Sequence, residues 1–144
     1  MGEYSHNIDR KGRLIMPAKF REELQDKVVV NRGLDGCLYV YTMDQWSIVQ
    51  KKLATLPTTK KNARNFQRMM LAKADECDLD SQGRILIPSR LVQLAQLEKE
   101  CVIVGVGNHI EIWAKERWAA FEEEQEDCFE EFAEDLTNFM DLDL

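Results

Sequence analysis

No stretch of this 144-residue chain approaches the ~20 consecutive apolar residues that a membrane-crossing helix needs. The first residues also lack the apolar core of a signal peptide, because Glu3, His6, Asp9 and Arg10 interrupt them. Histidine is scarce. His6 and His109 fall in different predicted hairpins with no ligand cluster nearby, so neither a metal site nor a nucleophilic triad has a basis. The cysteines Cys37, Cys77, Cys101 and Cys128 are scattered with no C-x-x-C pair, and they read as reduced, partly buried thiols rather than disulfides or zinc ligands. Gly105-Val106-Gly107 lacks the third glycine and the following long helix of a dinucleotide-binding loop. Asp78, Asp80, Gln82 and Gly83 begin like a calcium loop, but its twelfth position is Ser89, preceded by Pro88. Together these absences predict a cytoplasmic protein with no catalytic residues, metal, cofactor or small-molecule substrate.

What is present starts with charge. The net value is −7, yet residues 1–73 carry 14 Lys/Arg against 7 Asp/Glu, and residues 74–144 carry 5 against 19. From Lys115 onward there are 12 acids and 2 bases, so much of the negative charge sits in the C-terminal tail. The first half is basic enough to meet phosphate. The length fits one ordinary domain or two very small ones, and 44% hydrophobic residues suffice for a core. Two domains of roughly 70 residues would each be marginal alone, so shared surface is expected.

The chain also repeats itself. Ile8-Asp9-Arg10-Lys11-Gly12-Arg13-Leu14-Ile15-Met16-Pro17 recurs 71 positions later as Leu79-Asp80-Ser81-Gln82-Gly83-Arg84-Ile85-Leu86-Ile87-Pro88. Beyond it the offset reads as 72, aligning Val28-Val29-Val30 with Glu100-Cys101-Val102, Gly33 with Gly105, Leu38 with Ile110 and Trp46 with Trp118. Each copy reads as strand, turn, strand, short helix, strand, turn, strand. Gly12 and Gly83 supply turns that need positive φ. Leu14-Ile15-Met16 and Ile85-Leu86-Ile87 are short apolar runs expected to be buried strands, ended by Pro17 and Pro88. Gly33-Leu34-Asp35-Gly36 and Gly105-Val106-Gly107-Asn108 form the second turns. Between the copies, Thr42-x-x-Gln45 matches a capping box opening a helix that Pro57 closes. Thr58 or Thr59 is expected to cap a second helix. Trp118, Phe121, Cys128, Phe132 and Phe139 are spaced for one further amphipathic helix in the tail, with Asp141 to Leu144 frayed.

The D-x-x-G-R turn followed by three apolar residues and Pro resembles the N-terminal hairpin of AbrB/SpoVT-type swapped-hairpin domains. Its doubling in a short chain is similar to the MraZ family. That match also covers Gly2-Glu3-Tyr4, Arg32 to Cys37, Val104 to Asn108 and Glu111-Ile112-Trp113, running from about residue 1 to 120. The resemblance implies an α+β, mainly β fold: two tandem swapped-hairpin β-barrel modules packed as a pseudo-twofold pair, with added helices. The expected organisation is a first module over 1–47, a helical connector over 48–73, a second module over 74–119 and an acidic helix or tail over 120–144. The resemblance further implies a nucleoid-associated DNA-binding regulator of the division and cell-wall gene cluster. It would recognise direct repeats in its own promoter as a ring-shaped homo-oligomer.

The residues make an independent case. Arg10, Lys11 and Arg13 crowd one turn, with Lys19 and Arg21 just beyond, where they can reach phosphates and groove edges. The second turn offers Ser81, Gln82 and Arg84, a single cation. Candidate DNA contacts are therefore Arg10, Lys11, Arg13, Gln82 and Arg84, with module one expected to dominate and module two to serve assembly. Asp9, Gly12, Asp80 and Gly83 are candidate structural residues, each Asp able to pin its own turn by an ion pair with Arg13 or Arg84. Trp46 and Trp118 read as core. A protein-docking scaffold working through the acidic C-terminal surface is the competing reading. An antitoxin-like repressor is disfavoured by the duplication and by the lack of a long toxin-binding tail.

Overall fold

A computed structural model describes residues 1–140, which leaves the expectation for Asp141 to Leu144 outside the described residues. The elements run β1 (Gly2–Asn7), β2 (Arg13–Ile15), α1 (Ala18–Leu24), β3 (Lys27–Arg32), β4 (Leu38–Thr42), α2 (Met43–Ala54), α3 (Lys61–Lys73), β5 (Asp75–Asp78), β6 (Arg84–Leu86), α4 (Ser89–Leu94), β7 (Glu100–Gly105), β8 (Ile110–Ala114), α5 (Lys115–Glu126) and α6 (Phe129–Phe139). The fold is α+β and dominated by antiparallel pairing. Two compact units emerge, Met1–Ala114 and Lys115–Leu144.

In the first unit the two copies are interleaved. A six-stranded sheet has the order β1-β7-β8-β4-β3-β5, and β2 pairs with β6 in a separate two-stranded ribbon. Thus β1 of the first copy pairs with β7 of the second, and β5 of the second pairs with β3 of the first. The first turn of each copy joins strands that part company. The exchange obeys an internal twofold: in the ribbon Leu14 faces Ile85 with Arg13 opposite Leu86 and Ile15 opposite Arg84, while Tyr39 faces Glu111 where β4 meets β8. Matching hydrogen bonds flank the ribbon, Met16 N to Gly83 O at 2.9 Å and Ile87 N to Gly12 O at 2.8 Å. Strand sharing leaves neither copy with a core of its own, which is how halves of this size escape marginal stability.

The register corrects the repeat alignment. Lys27 pairs with Asp78 as Glu100 pairs with Asn7, and Val30 faces Val40 as Ile103 faces Ile112. The β3/β7 equivalence is therefore offset by 73, returning to 72 at β4/β8, because the second turn is one residue shorter in the second copy. That turn places Asp35 and Gly36 at φ 64° and 82° in the first copy but only Gly107, at 93°, in the second.

The main core joins Leu14, Met16, Ile85 and Ile87 from the ribbon to Val28, Val30, Leu38, Val40, Cys101, Ile103, Ile110 and Ile112 of the sheet, with Phe20, Leu24 and Leu91 from α1 and α4. Alternation overrides the expectation of wholly buried runs: Leu86 is 56% exposed and Ile15 half-buried, because in a ribbon every second residue faces away from the core. A smaller cluster of Val29, Tyr41 and Trp46 holds α2. Desolvation pushes the buried Cys37 thiol up to about 12 and Cys77 to about 11, in keeping with free, unreactive cysteines.

The capping box opens α2 as expected, with Thr42 Oγ1 accepting from Gln45 N at 3.0 Å. Two other helical expectations change. Neither Thr58 nor Thr59 caps α3, which begins after Lys60 without a side-chain cap. A turn closed by Lys60 N to Pro57 O intervenes, and Arg64 Nη1 donates to the Thr58 carbonyl at 2.9 Å. The C-terminal seam lies on two helices, broken at Asp127-Cys128, rather than one. Glu122, Glu123, Glu124, Glu126 and Asp127 crowd the negative end of α5, whereas restarting at Phe129 puts Glu130 and Glu131 in a favourable first turn. In this second unit, Trp118 is half-buried and its ring lies 5.3 Å from that of Phe121.

Candidate nucleic-acid interface

Each D-x-x-G-R segment is a closed set of local bonds. In the first, Asp9 Oδ1 accepts from Lys11 N at 3.0 Å and Arg13 N at 2.9 Å, while Oδ2 accepts from Arg13 Nε at 2.7 Å. Asp9 N donates to Arg13 O, and Gly12 N to Asp9 O. In the second, Asp80 Oδ1 accepts from Gln82 N and Arg84 N, both at 2.9 Å, and Oδ2 from Arg84 Nε at 2.8 Å. Asp80 N and Gly83 N repeat the backbone bonds. Gly12 and Gly83 close the turns at φ 89° and 77°, a region that disfavours a Cβ.

The amides of Arg13 and Arg84 are the largest influence holding Asp9 and Asp80 below the ordinary carboxylate value, with the guanidinium bond adding to it against opposing desolvation. Both ion pairs are open to solvent, with Arg side chains 36% and 27% accessible, so they add little stability as surface pairs. Their effect is positional. The Nε bond to the aspartate orients a guanidinium plane whose fork geometry meets phosphate or guanine.

The structure places Arg10, Lys11 and Gln82 exposed on the turns, with Arg13 and Arg84 half-buried at their bases, one at the start of each ribbon strand. Antiparallel pairing of β2 with β6 brings both arginines onto one outward face together with Ile15 and Leu86. Arg21 lies elsewhere than its sequence position suggests. A Cβ at Gly83 would run into its guanidinium, so Arg21 of the first copy stands against the turn of the second. Its Nε donates to Met16 O at 2.8 Å. The repeat equivalent, Val92, lies beside the first turn, lining a hollow with Asp9, Arg10, Lys11 and Gly12. The second turn therefore has a cation that counting along the chain assigns to the first. Strand exchange was the missing signal.

His109 sits apart from this face, bonded through Nδ1 to Asn108 and Nε2 to Glu111, with Trp113 Nε1 donating to Glu111 Oε1. Among the described residues no group of His, Cys, Asp and Glu is arranged to hold a metal ion, and no helix is long and apolar enough to cross a membrane.

Comparison with known proteins agrees with the internal repeat. The family model described as "MraZ protein, putative antitoxin-like" matches twice, over residues 1–69 and 70–140. The chain is 55% identical over 139 residues to the "Transcriptional regulator MraZ" of Ligilactobacillus salivarius, covering 96% of this chain and 97% of that protein. It is 54% identical to the proteins of the same name from Pediococcus pentosaceus and Caldanaerobacter subterraneus subsp. tengcongensis, with the same coverage.

Proposed function

The chain belongs to the MraZ family, and from that premise we propose that it is a transcriptional regulator that binds DNA through the outward face of the β2–β6 ribbon and its two flanking turns. The carrying observation is the pair of equivalent turns, each with an aspartate orienting an arginine at the edge of one face. Arg10, Lys11 and Arg21 supply phosphate contacts around Arg13 and Arg84, and Gln82 adds a neutral donor and acceptor. A two-stranded ribbon fits the width of the major groove. The MraZ resemblance supports repeated sites in the promoter of a division and cell-wall gene cluster as the target, and a cytoplasmic, nucleoid-associated location.

One protomer offers few cations, so useful affinity calls for several copies, and a closed homo-oligomeric ring meeting direct repeats supplies it. Two exposed apolar strips support self-association. Helix α3 exposes Phe66 and Met69 among basic residues, while α6 exposes Phe129, Phe132, Leu136 and Phe139 at heptad-like spacing among acids. The α6 strip would equally serve a docking scaffold, and the two readings separate in one experiment. Titration of promoter and random duplexes should give preference for the promoter, a steep salt dependence, and a loss of roughly a hundredfold for Arg13→Ala with the assembly size unchanged. Unchanged affinity in that variant would sink the assignment. Retention of a protein partner in high salt, with no duplex bound at low salt, would establish the scaffold instead.

A further inference from the structure

We propose that Leu86 is a base-reading residue whose side chain packs on the C5 methyl group of thymine in the major groove. The inference deepens the DNA-binding reading and rests on it. Leu86 is 56% exposed, whereas Leu14, Met16, Ile85 and Ile87 of the same ribbon are essentially inaccessible. It shares the outward face with Arg13, directly opposite, and with Ile15 and Arg84, the neighbouring cross-strand pair. That face is thus a compact patch of two guanidinium groups and two aliphatic side chains. An exposed strand position between arginines ordinarily takes a polar residue. Both repeats place an aliphatic one here instead.

The chemistry of the groove supplies a reason. Thymine's methyl is the apolar group that Watson–Crick pairs display in the major groove, and aliphatic side chains read it by contact. Cross-strand neighbours stand about 5 Å apart at Cβ, and base pairs rise about 3.4 Å per step. An arginine bridging a guanine would therefore set Leu86 over a base one or two steps away. Ile15 occupies the equivalent place but is half-buried and β-branched, so Leu86 has the longer reach.

The experiment uses the full chain and a duplex it selects from a random-sequence pool, made once with thymidine and once with deoxyuridine throughout, which removes only the methyl groups. Wild type should bind the deoxyuridine duplex roughly fourfold more weakly, the value of one buried methyl group. Leu86→Ala should show a similar loss on the thymidine duplex and no further loss on the deoxyuridine one, a coupling that a merely structural role would not produce. Leu86→Met should restore the methyl preference. Unchanged melting and assembly size in Leu86→Ala are part of the expectation, and a change in assembly size would assign Leu86 to a contact between copies and overturn the proposal. If all proteins lose equally on deoxyuridine, methyl reading by Leu86 fails while DNA binding stands. If wild type selects no duplex, the DNA-binding reading fails and takes this inference with it.

Discussion

The turns at 9–13 and 80–84 have the same five hydrogen bonds, with the three bonds to the aspartate side chain agreeing within about 0.1 Å, yet they carry different charges. Arg10 and Lys11 occupy the variable positions of the first, and Ser81 and Gln82 those of the second. Asp, Gly and Arg specify the shape, because each makes a bond or a backbone angle that the turn requires. The two intervening positions are exposed and free to vary. The comparison also shows that charge must be assigned by space. Arg21 reinforces the second turn and Val92 stands by the first, so the contrast is smaller than the chain order suggests.

The largest test of this contrast is electrostatic. Neutralising Arg10 and Lys11 together should lower the slope of log affinity against log salt by about 1.8 for each protomer engaged, and Arg21→Ala by about 0.9, at roughly 0.9 per phosphate contact. Fluorescence anisotropy over a salt series measures both. Equal slopes for wild type and the Arg10/Lys11 variant would remove the first turn from the interface, and no change with Arg21→Ala would leave the second turn with Arg84 alone.

A smaller effect separates the glycines. A Cβ at Gly12 would stand 2.8 Å from the Ile87 carbonyl oxygen, a backbone atom, whereas the atoms nearest a Cβ at Gly83 belong to the Arg21 side chain, which can move. Both positions share the penalty of positive φ. Gly12→Ala should therefore cost about 2–3 kcal/mol and Gly83→Ala about 1 kcal/mol by denaturant unfolding. Equal costs would mean that the ribbon yields as readily as the arginine.

Acid should affect the two turns alike, and least. Asp9 and Asp80 both have carboxyls held below the ordinary value of 3.8. Protons therefore bind more tightly to the unfolded chain, and each ion-paired turn contributes fully above that value. The contribution is lost as pH falls through the depressed folded values. Carboxyl NMR titration should give both midpoints below 3.8. A midpoint at or above it for either residue would break the equivalence of the turns.

The turns were legible in the sequence because their bonds span four residues or fewer, so Asp, Gly and Arg spell them out locally. The capping box at Thr42 was legible for the same reason. The strands followed from the duplicated pattern, and the α+β class from the family resemblance that the pattern carries. What was hidden lies in pairings distant along the chain: β1 with β7 joins residues 93 to 103 positions apart, and no local preference names that partner. Arg21 was misplaced for the same cause. The break before α6 carries no Pro or Gly to announce it, only an accumulation of acids at a helix end, which periodicity ignores. Exposure of Leu86 was legible in principle from strand alternation, but three consecutive apolar residues masked it.

The covalent joining of the two copies has one more consequence. Two identical chains related by a true dyad must present matching halves, and such pairs suit sites that read the same on both strands. Here Ser81 and Gln82 stand where Arg10 and Lys11 do, and Val92 where Arg21 does, so the halves are unlike. A ribbon of this kind has a polarity. Under the proposed DNA-binding reading, a duplex lying along the ribbon would meet two unlike halves, so copies bound to a tandem array would all lie the same way along it.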